Sequence, residues 1–373
     1  MKIDVYFEIE NKFRKRVSQG DKSFHLNEFL RDVGLLTAST ISDSTSVLDV
    51  EKYKEMDTCI IDMSDTVGLK SFVFEQMESF VKILDAYGIG KIVVNNPSKL
   101  LLSSISKFDN VTLHKGSSFR RITDKQIQRV QNSLSKNIIG QKRAKTVIFR
   151  KLVVQKIRNK SKPLVLMFYG KPGIGKTEVA KQISKAIYGS SEVLREQMSM
   201  VGGANSLEYF KATGHSEDAF SKKLLNRKTN LILLDEFGLA PEYVQTAFFQ
   251  LFDEGIYVDQ NYEVNMHNSI IICTTNLMTR EKIYSILGEA LVSRFDALVP
   301  FVDFSEVEKD EISHKLLEEY MKHDLGKKYA SRLDKHQVLK TLKLGIGGQN
   351  NFRDIKNLIE DVIAETLIEN GLF

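Results

Sequence analysis

The apolar positions of this chain form two successive series in which short strand-like runs alternate with helical stripes. In the first series residues 2–9 alternate like a strand, 24–36 carry helical spacing and 57–63 form a second run. Residues 72–87 put Val73, Met77, Phe80, Val81 and Leu84 on one stripe, the 3.6-residue period of an amphipathic helix, and Gly88 and Gly90 stop it. Residues 91–95 read as a strand, Pro97 opens another helix, and 110–114 is a last short strand. Strands alternating with helices predict a small parallel α/β domain over residues 1–118, with 115–123 as a linker.

The second series has longer runs. Residues 163–169 and 231–234 are apolar runs, and 269–275 is centred on the apolar run Ile-Ile-Ile-Cys, as expected of strands buried on both faces of a parallel sheet. Helices are expected over 141–158, with an apolar face of Ala144, Val147, Ile148, Leu152 and Ile157, and over 177–187. Asp124 reads as the N-cap of the preceding helix. Beyond residue 305 only helical stripes remain, near 306–323, 334–342 and 351–370. The pattern divides the chain into 1–118, an α/β unit over 119–305, and a helical unit over 306–373.

Polar residues at the ends of the long runs carry the candidate chemistry. Residues 170–177 have the spacing Gly-x-x-x-x-Gly-Lys-Thr between a strand and a helix, the context of a phosphate-binding loop. Gly170, Pro172, Gly173, Ile174 and Gly175 would wrap phosphate oxygens with backbone N–H groups beside a positive helix N-terminus. Lys176 would reach the β- and γ-phosphates, and the Thr177 hydroxyl would take a Mg2+ position. Asp235 and Glu236 follow the run 231–234. Asp235 would hold Mg2+ largely through water, because this ion dehydrates reluctantly, and Glu236 would polarise an attacking water. Asn276 follows the run 269–275, where an amide can stand between the γ-phosphate and the water. Together these residues point to hydrolysis of ATP or GTP.

From about residue 124 to the C-terminus the chain resembles the AAA+ ATPases, specifically the Clp/HSP100 branch and its second ATPase module. The resemblance implies a P-loop large subdomain with a helical lid, ATP and Mg2+ as ligands, and a homo-oligomer built as a hexameric ring or ring-like assembly in the cytoplasm. It makes residues 137–141, with Ile139 and Gly140, the adenine-side box, and Asn276 sensor 1. Arg294, in Val-Ser-Arg-Phe-Asp, falls at the arginine finger. In the lid, Arg353 falls at sensor 2, while a register anchored on residues 358–361 would put Gln349 there instead. Clp unfoldases grip polypeptide with an aromatic Gly-Tyr-Val-Gly loop between the two carboxylate and phosphate motifs. Residues 200–216 lack it and are short, with Tyr209, Phe210 and His215 as candidate substitutes.

Composition narrows the setting. Two cysteines, Cys59 and Cys273, on separate strands give no disulfide framework and point to a reducing compartment. Acids within the first apolar stretch exclude a signal peptide, and no run approaches the roughly 18 residues of a membrane span. The net charge of +5 is unevenly placed: residues 125–177 hold 14 Lys or Arg and no Asp or Glu. The basic region 125–162 is thus either a solvated helix face or a nucleic-acid contact. Two functions follow: an ATPase remodelling a protein partner selected by residues 1–118, or an ATP-switched assembly on nucleic acid. Residues 58–114 faintly resemble a STAS-type or receiver-like domain, with Asp62 and Asp65 after a strand.

Overall fold

The structure, a computed structural model, describes residues 1–17, 22–32, 51–66, 71–114, 119–200, 204–212, 219–326, 329, 333–349 and 351–371. Two parallel five-stranded sheets organise it. The first contains β1 (Lys2–Tyr6), β2 (Ser23–His25), β3 (Thr58–Ile61), β4 (Lys91–Asn95) and β5 (Val111–Leu113), in the order β2-β3-β4-β1-β5. Its core joins Ile3, Val5, Ile61 and Val94 to Phe29, Tyr53, Phe80 and Leu84 from the covering segments.

Local periodicity misplaced some of this unit. Phe24 is in β2, not in a helix, because Ser23–His25 ladders with Thr58–Ile60; the helix is Leu26–Asp32, and residues 33–36 lie outside the described residues. The expected helix 72–87 is broken at Gln76 into Ser71–Glu75 and Met77–Ala86. A receiver-like sheet has the order 2-1-3-4-5. Here β1 lies between β4 and β5, so that resemblance does not hold.

The second sheet comprises β6 (Leu164–Tyr169), β7 (Leu194–Gln197), β8 (Leu231–Asp235), β11 (Ile270–Thr275) and β12 (Ala297–Pro300), ordered β12-β6-β11-β8-β7. A separate hairpin pairs β9 (Ile256–Val258) with β10 (Glu263–Asn265). Successive residues of the long strands feed two cores. Leu164, Leu166, Phe168, Leu233 and Ile272 face one that also takes the C-terminal helices, through Ile312, Leu316, Ile355 and Ile359. Val165, Met167, Leu234, Ile271 and Cys273 face an aromatic-rich one with Phe210, Phe220, Phe237, Phe248 and Phe252. Burial on both faces explains why these strands read as apolar runs.

The helix expected over 141–158 is Lys142–Ile157. Ala144, Ile148 and Leu152 are buried, but Ile157 is 71% exposed, and Gln155 is buried instead, its amide donating to the Lys162 carbonyl at 2.8 Å. Thr123, not Asp124, caps the helix Asp124–Asn137, in a reciprocal capping box with Gln126. The C-terminal helices are Glu306–Glu319, capped by Ser305 and extended by one wide turn Tyr320–Asp324, then Lys335–Gly345 and Phe352–Glu369. Among the described residues no helix is long and apolar enough to cross a membrane.

Candidate nucleotide-binding site

Three neighbouring strands, β6, β11 and β8, end together, and residues at or just beyond their ends line one cavity of about 750 Å3. Ligands of open parallel sheets bind at this edge. The glycine-rich turn leaves β6 and opens the helix Lys176–Tyr188. Gly170 and Gly173 are required there. Both have positive φ, and a Cβ would lie 2.3 Å from the Phe301 carbonyl oxygen at the first and 2.8 Å from Asn351 Oδ1 at the second. At Gly175 (φ +98°) a Cβ would meet only open space, leaving room for a ligand group against the helix N-terminus. Phe352 N–H donates to the Gly173 carbonyl at 2.9 Å, tying the last helix to the loop.

Lys176 is 8% exposed and donates to the Gly170 carbonyl at 2.6 Å, the Lys171 carbonyl at 2.8 Å and Asn276 Oδ1 at 3.1 Å. Burial pushes its pKa down to about 8, against the upward pull of Asp235 and Glu236. Thr274 donates its hydroxyl to Asp235 Oδ1 and accepts the Glu236 N–H at 2.9 Å, so one β11 side chain orders both acids. Glu236 has left-handed backbone (φ 56°), and its Oε2 accepts from the Gln197 amide at 2.6 Å. Pro172, Ile174 and Thr177 also line the cavity.

Ile139 lines the far wall with Ile138, Phe304, Ile312 and Leu316, an apolar slot suited to a flat ring. Gly140 lies behind it, with the Glu308 carboxylate at the place a Cβ would occupy. Gln141 pins this segment by donating to the Val302 carbonyl at 2.8 Å and accepting from its N–H at 3.1 Å. Arg353 lines the cavity and Gln349 does not. Arg294 is elsewhere: it pairs with Asp253 at 2.9 Å and lies over the Phe249 ring, 4.0 Å from its centroid.

Sequence reasoning missed Arg195. It projects from β7, its Nε donating to Asp235 Oδ2 at 3.0 Å. An isolated arginine on a half-polar edge strand gives no signal; only the β7–β8 register, which pairs Gln197 with Asp235, brings Arg195 and Gln197 to the acids. Of the candidate gripping residues, Phe210 is buried and the Tyr209 hydroxyl donates to Glu196 at 3.0 Å. His215 lies outside the described residues.

The chain is similar to known proteins in sequence and in fold. The sequence model of the AAA domain (Cdc48 subfamily) matches residues 161–336, and that of Torsin matches 115–201. The chaperone protein ClpB of Malacoplasma penetrans is 24% identical over 363 residues, covering 87% of this chain and 49% of its own. The AAA+ ATPase ClpV1 of Pseudomonas aeruginosa is 32% identical over 173 residues, covering 43% of this chain and 19% of its own. A closed-state cryo-EM reconstruction of Hsp104 with ATPyS and FITC casein shares the fold, with a TM-score of 0.58 and 17% identity over 86% of this chain and 62% of that one. The chain thus spans about half the length of the ClpB relative.

Proposed function

We propose that residues 161–336, which match the AAA domain model, are an AAA+ module of the Clp/HSP100 type, and that the chain hydrolyses ATP to remodel a protein partner. The observation that carries this is the convergence of Lys176, Asp235, Glu236 and Asn276 on one cavity at the ends of three adjacent strands. The adenine ring fits the slot beside Ile139, and the loop from Gly170 to Thr177 cradles the triphosphate. Lys176 neutralises charge on the β- and γ-phosphates, and Asn276 holds both that lysine and the attacking water in place. Glu236 polarises the water, whose oxygen forms a bond to the γ-phosphorus as the bond to the β,γ-bridging oxygen breaks. ADP and phosphate leave, with the water's proton passing through the carboxylate.

The residues present fit a Mg2+ ion. Thr177 and Asp235 offer hard oxygen donors in the same cavity, and the Arg195 guanidinium on Asp235 already stands where positive charge is wanted. The ion supplies charge neutralisation of the phosphate oxygens.

In this reading Arg294 completes a neighbouring subunit's site, because it lies away from the cavity of its own chain. A ring of such subunits, of which a hexamer is the form proposed, gives each site its finger. Residues 1–118 select the partner, and the buried, unpaired thiols of Cys59 and Cys273 suit a cytoplasmic setting. The basic region 125–162 is partly used inside the fold: Arg158 pairs with Asp296, and Lys145 donates to the Ile138 carbonyl beside the adenine slot. No observation favours the nucleic-acid alternative. Phosphate release by wild type and by Glu236→Gln tests hydrolysis. Co-purification of a protein by Glu236→Gln held in ATP, absent with Lys176→Ala, tests remodelling.

A further inference from the structure

The two five-stranded sheets share one winding. Read from the last strand, the second runs β12-β6-β11-β8-β7 and the first β5-β1-β4-β3-β2. Numbered within each unit, both are fifth-first-fourth-third-second, and every pairing in both is parallel. So β1 stands where β6 does, β3 where β8 does, and β4 where β11 does.

Chemistry at the strand ends corresponds in part. Asp62 follows β3 as Asp235 closes β8, and Asn95 closes β4 and Asn96 follows it as Asn276 follows β11. The turn after β1 does not correspond. It is Phe7-Glu8-Ile9, without glycine, and the helix after it begins at Glu10 where the other begins at Lys176. Glu8 is 6% exposed, and its carboxylate is paired with Arg16 and Lys12, each at 2.9 Å. Its N–H donates to Asn95 Oδ1 at 3.1 Å, and its carbonyl accepts from the amides of Asn95 at 3.1 Å and Asn96 at 2.7 Å. A buried carboxylate in a filled hydrogen-bond network thus occupies the place of a phosphate cradle. A phosphate there would have to displace the Glu8 carboxylate from Arg16 and Lys12 and would find the backbone donor of Glu8 already taken.

The strand-end edge of the first sheet is instead covered by the second unit. Met63, just after β3, belongs to the aromatic-rich core with Phe220 and Leu224. Lys99, the first residue of the helix Lys99–Ile105 that follows β4, donates its N–H to the Asn261 carbonyl at 2.8 Å and its ammonium to the Asp259 carbonyl at 2.7 Å. Glu10 and Asp62 face Lys222 and Lys223 across a cavity of about 260 Å3. The elements met on the far side are the helix Phe220–Leu225, which leads into β8, and the turn 259–262 between β9 and β10. That turn holds the end of the helix Ala204–Lys211: Gln260 N–H donates to the Lys211 carbonyl at 3.0 Å and the Asn261 amide to the Ala212 carbonyl at 2.9 Å.

We propose that residues 1–114 form a second core of the ATPase winding that binds no nucleotide, and that its strand-end face is a dock fixing the segment ahead of β8. Lys99 grips the turn 259–262, and the turn grips Ala212. The N-terminal unit therefore sets the geometry of the stretch between the two ATPase motifs, in addition to any role in choosing a partner.

Two measurements on the full chain test this. Titration with Mg2+ and ATPγS by calorimetry is expected to give one nucleotide per wild-type chain and none for Lys176→Ala. Amide exchange of Lys99→Ala and of Met63→Asp is expected to rise about tenfold over 208–212 and 259–262, with 164–177 unchanged. The milder Lys99→Ala keeps the test open if Met63→Asp does not fold. A second saturable site that survives Lys176→Ala overturns the proposal. So does wild-type exchange over 208–212 and 259–262 in folded Lys99→Ala.

Discussion

The Lys176 ammonium lies 3.1 Å from Asn276 Oδ1, joining the loop after β6 to the end of β11 across 100 residues of sequence. Through that contact the cation is aimed along the edge where Asp235 and Glu236 also end. A neutral amide can orient the lysine without cancelling its charge, which leaves the charge for a phosphate.

The lysine's burial gives a pH dependence. Its pKa of about 8 lies below the ordinary lysine value, so the nucleotide-free fold holds fewer protons than the unfolded chain from about pH 8 upward, and its stability rises with pH in that window. Nucleotide binding has the opposite sign, since phosphates need the charged form and must draw a proton in. Affinity for a fluorescent ATP analogue should fall as pH rises through 8, approaching tenfold per pH unit. An affinity that is flat, or that tightens, between about pH 7 and about pH 9.5 contradicts the assignment.

Arg195 would compete with a metal ion for Asp235, to which it donates. Its side chain is 51% exposed, so the pair adds little stability, but the guanidinium must yield for the carboxylate to serve a hydrated Mg2+. Arg195→Ala should lower the Mg2+ concentration for half-maximal ATP turnover by a few-fold. A higher Mg2+ requirement would place Arg195 on the phosphates instead.

Arg294 should act across a subunit boundary. Arg294→Ala is expected to lose about 1000-fold or more in turnover with nucleotide affinity nearly intact, because a finger stabilises transition-state charge. Mixing it with Lys176→Ala protein should restore part of the activity, each chain supplying what the other lacks. Co-assembled mixtures without any rescue would remove Arg294 from that role.

Gripping a polypeptide needs aromatic faces free to touch it. Phe210 is buried among Phe220 and Phe248, and Tyr209 stacks edge-on against Phe210 with its hydroxyl on Glu196. The full chain should therefore turn over ATP yet leave a stable tagged reporter protein folded. Loss of reporter fluorescence that depends on ATP, and that His215→Ala abolishes, would reveal a different grip.

Most of the candidate site was legible because buried parallel strands write their own boundaries. The strands before Gly170, Asp235 and Asn276 are buried on both faces, so the end of each buried run marks the sheet edge where ligands bind. Arg195 and Gln197 were not legible, because their place depends on which strand pairs with β8. The same reason hid the winding of the first sheet, where local pattern suggests alternation but not order. Ile157 misled as the last apolar position on its helical stripe: the helix ends there, beyond the packed core, and the residue faces solvent. Phe24 misled because a three-residue ladder outweighed helical spacing.

Turnover by Glu236→Gln tests ATP hydrolysis at this site most directly. The amide keeps the size of the carboxylate and leaves Lys176, Thr177 and Asp235 in place, so nucleotide should still bind with Mg2+. Without a base to polarise the water, steady-state phosphate release should fall by about 100-fold or more. Retained binding with lost turnover is the expected result. Phosphate release at the wild-type rate would contradict it.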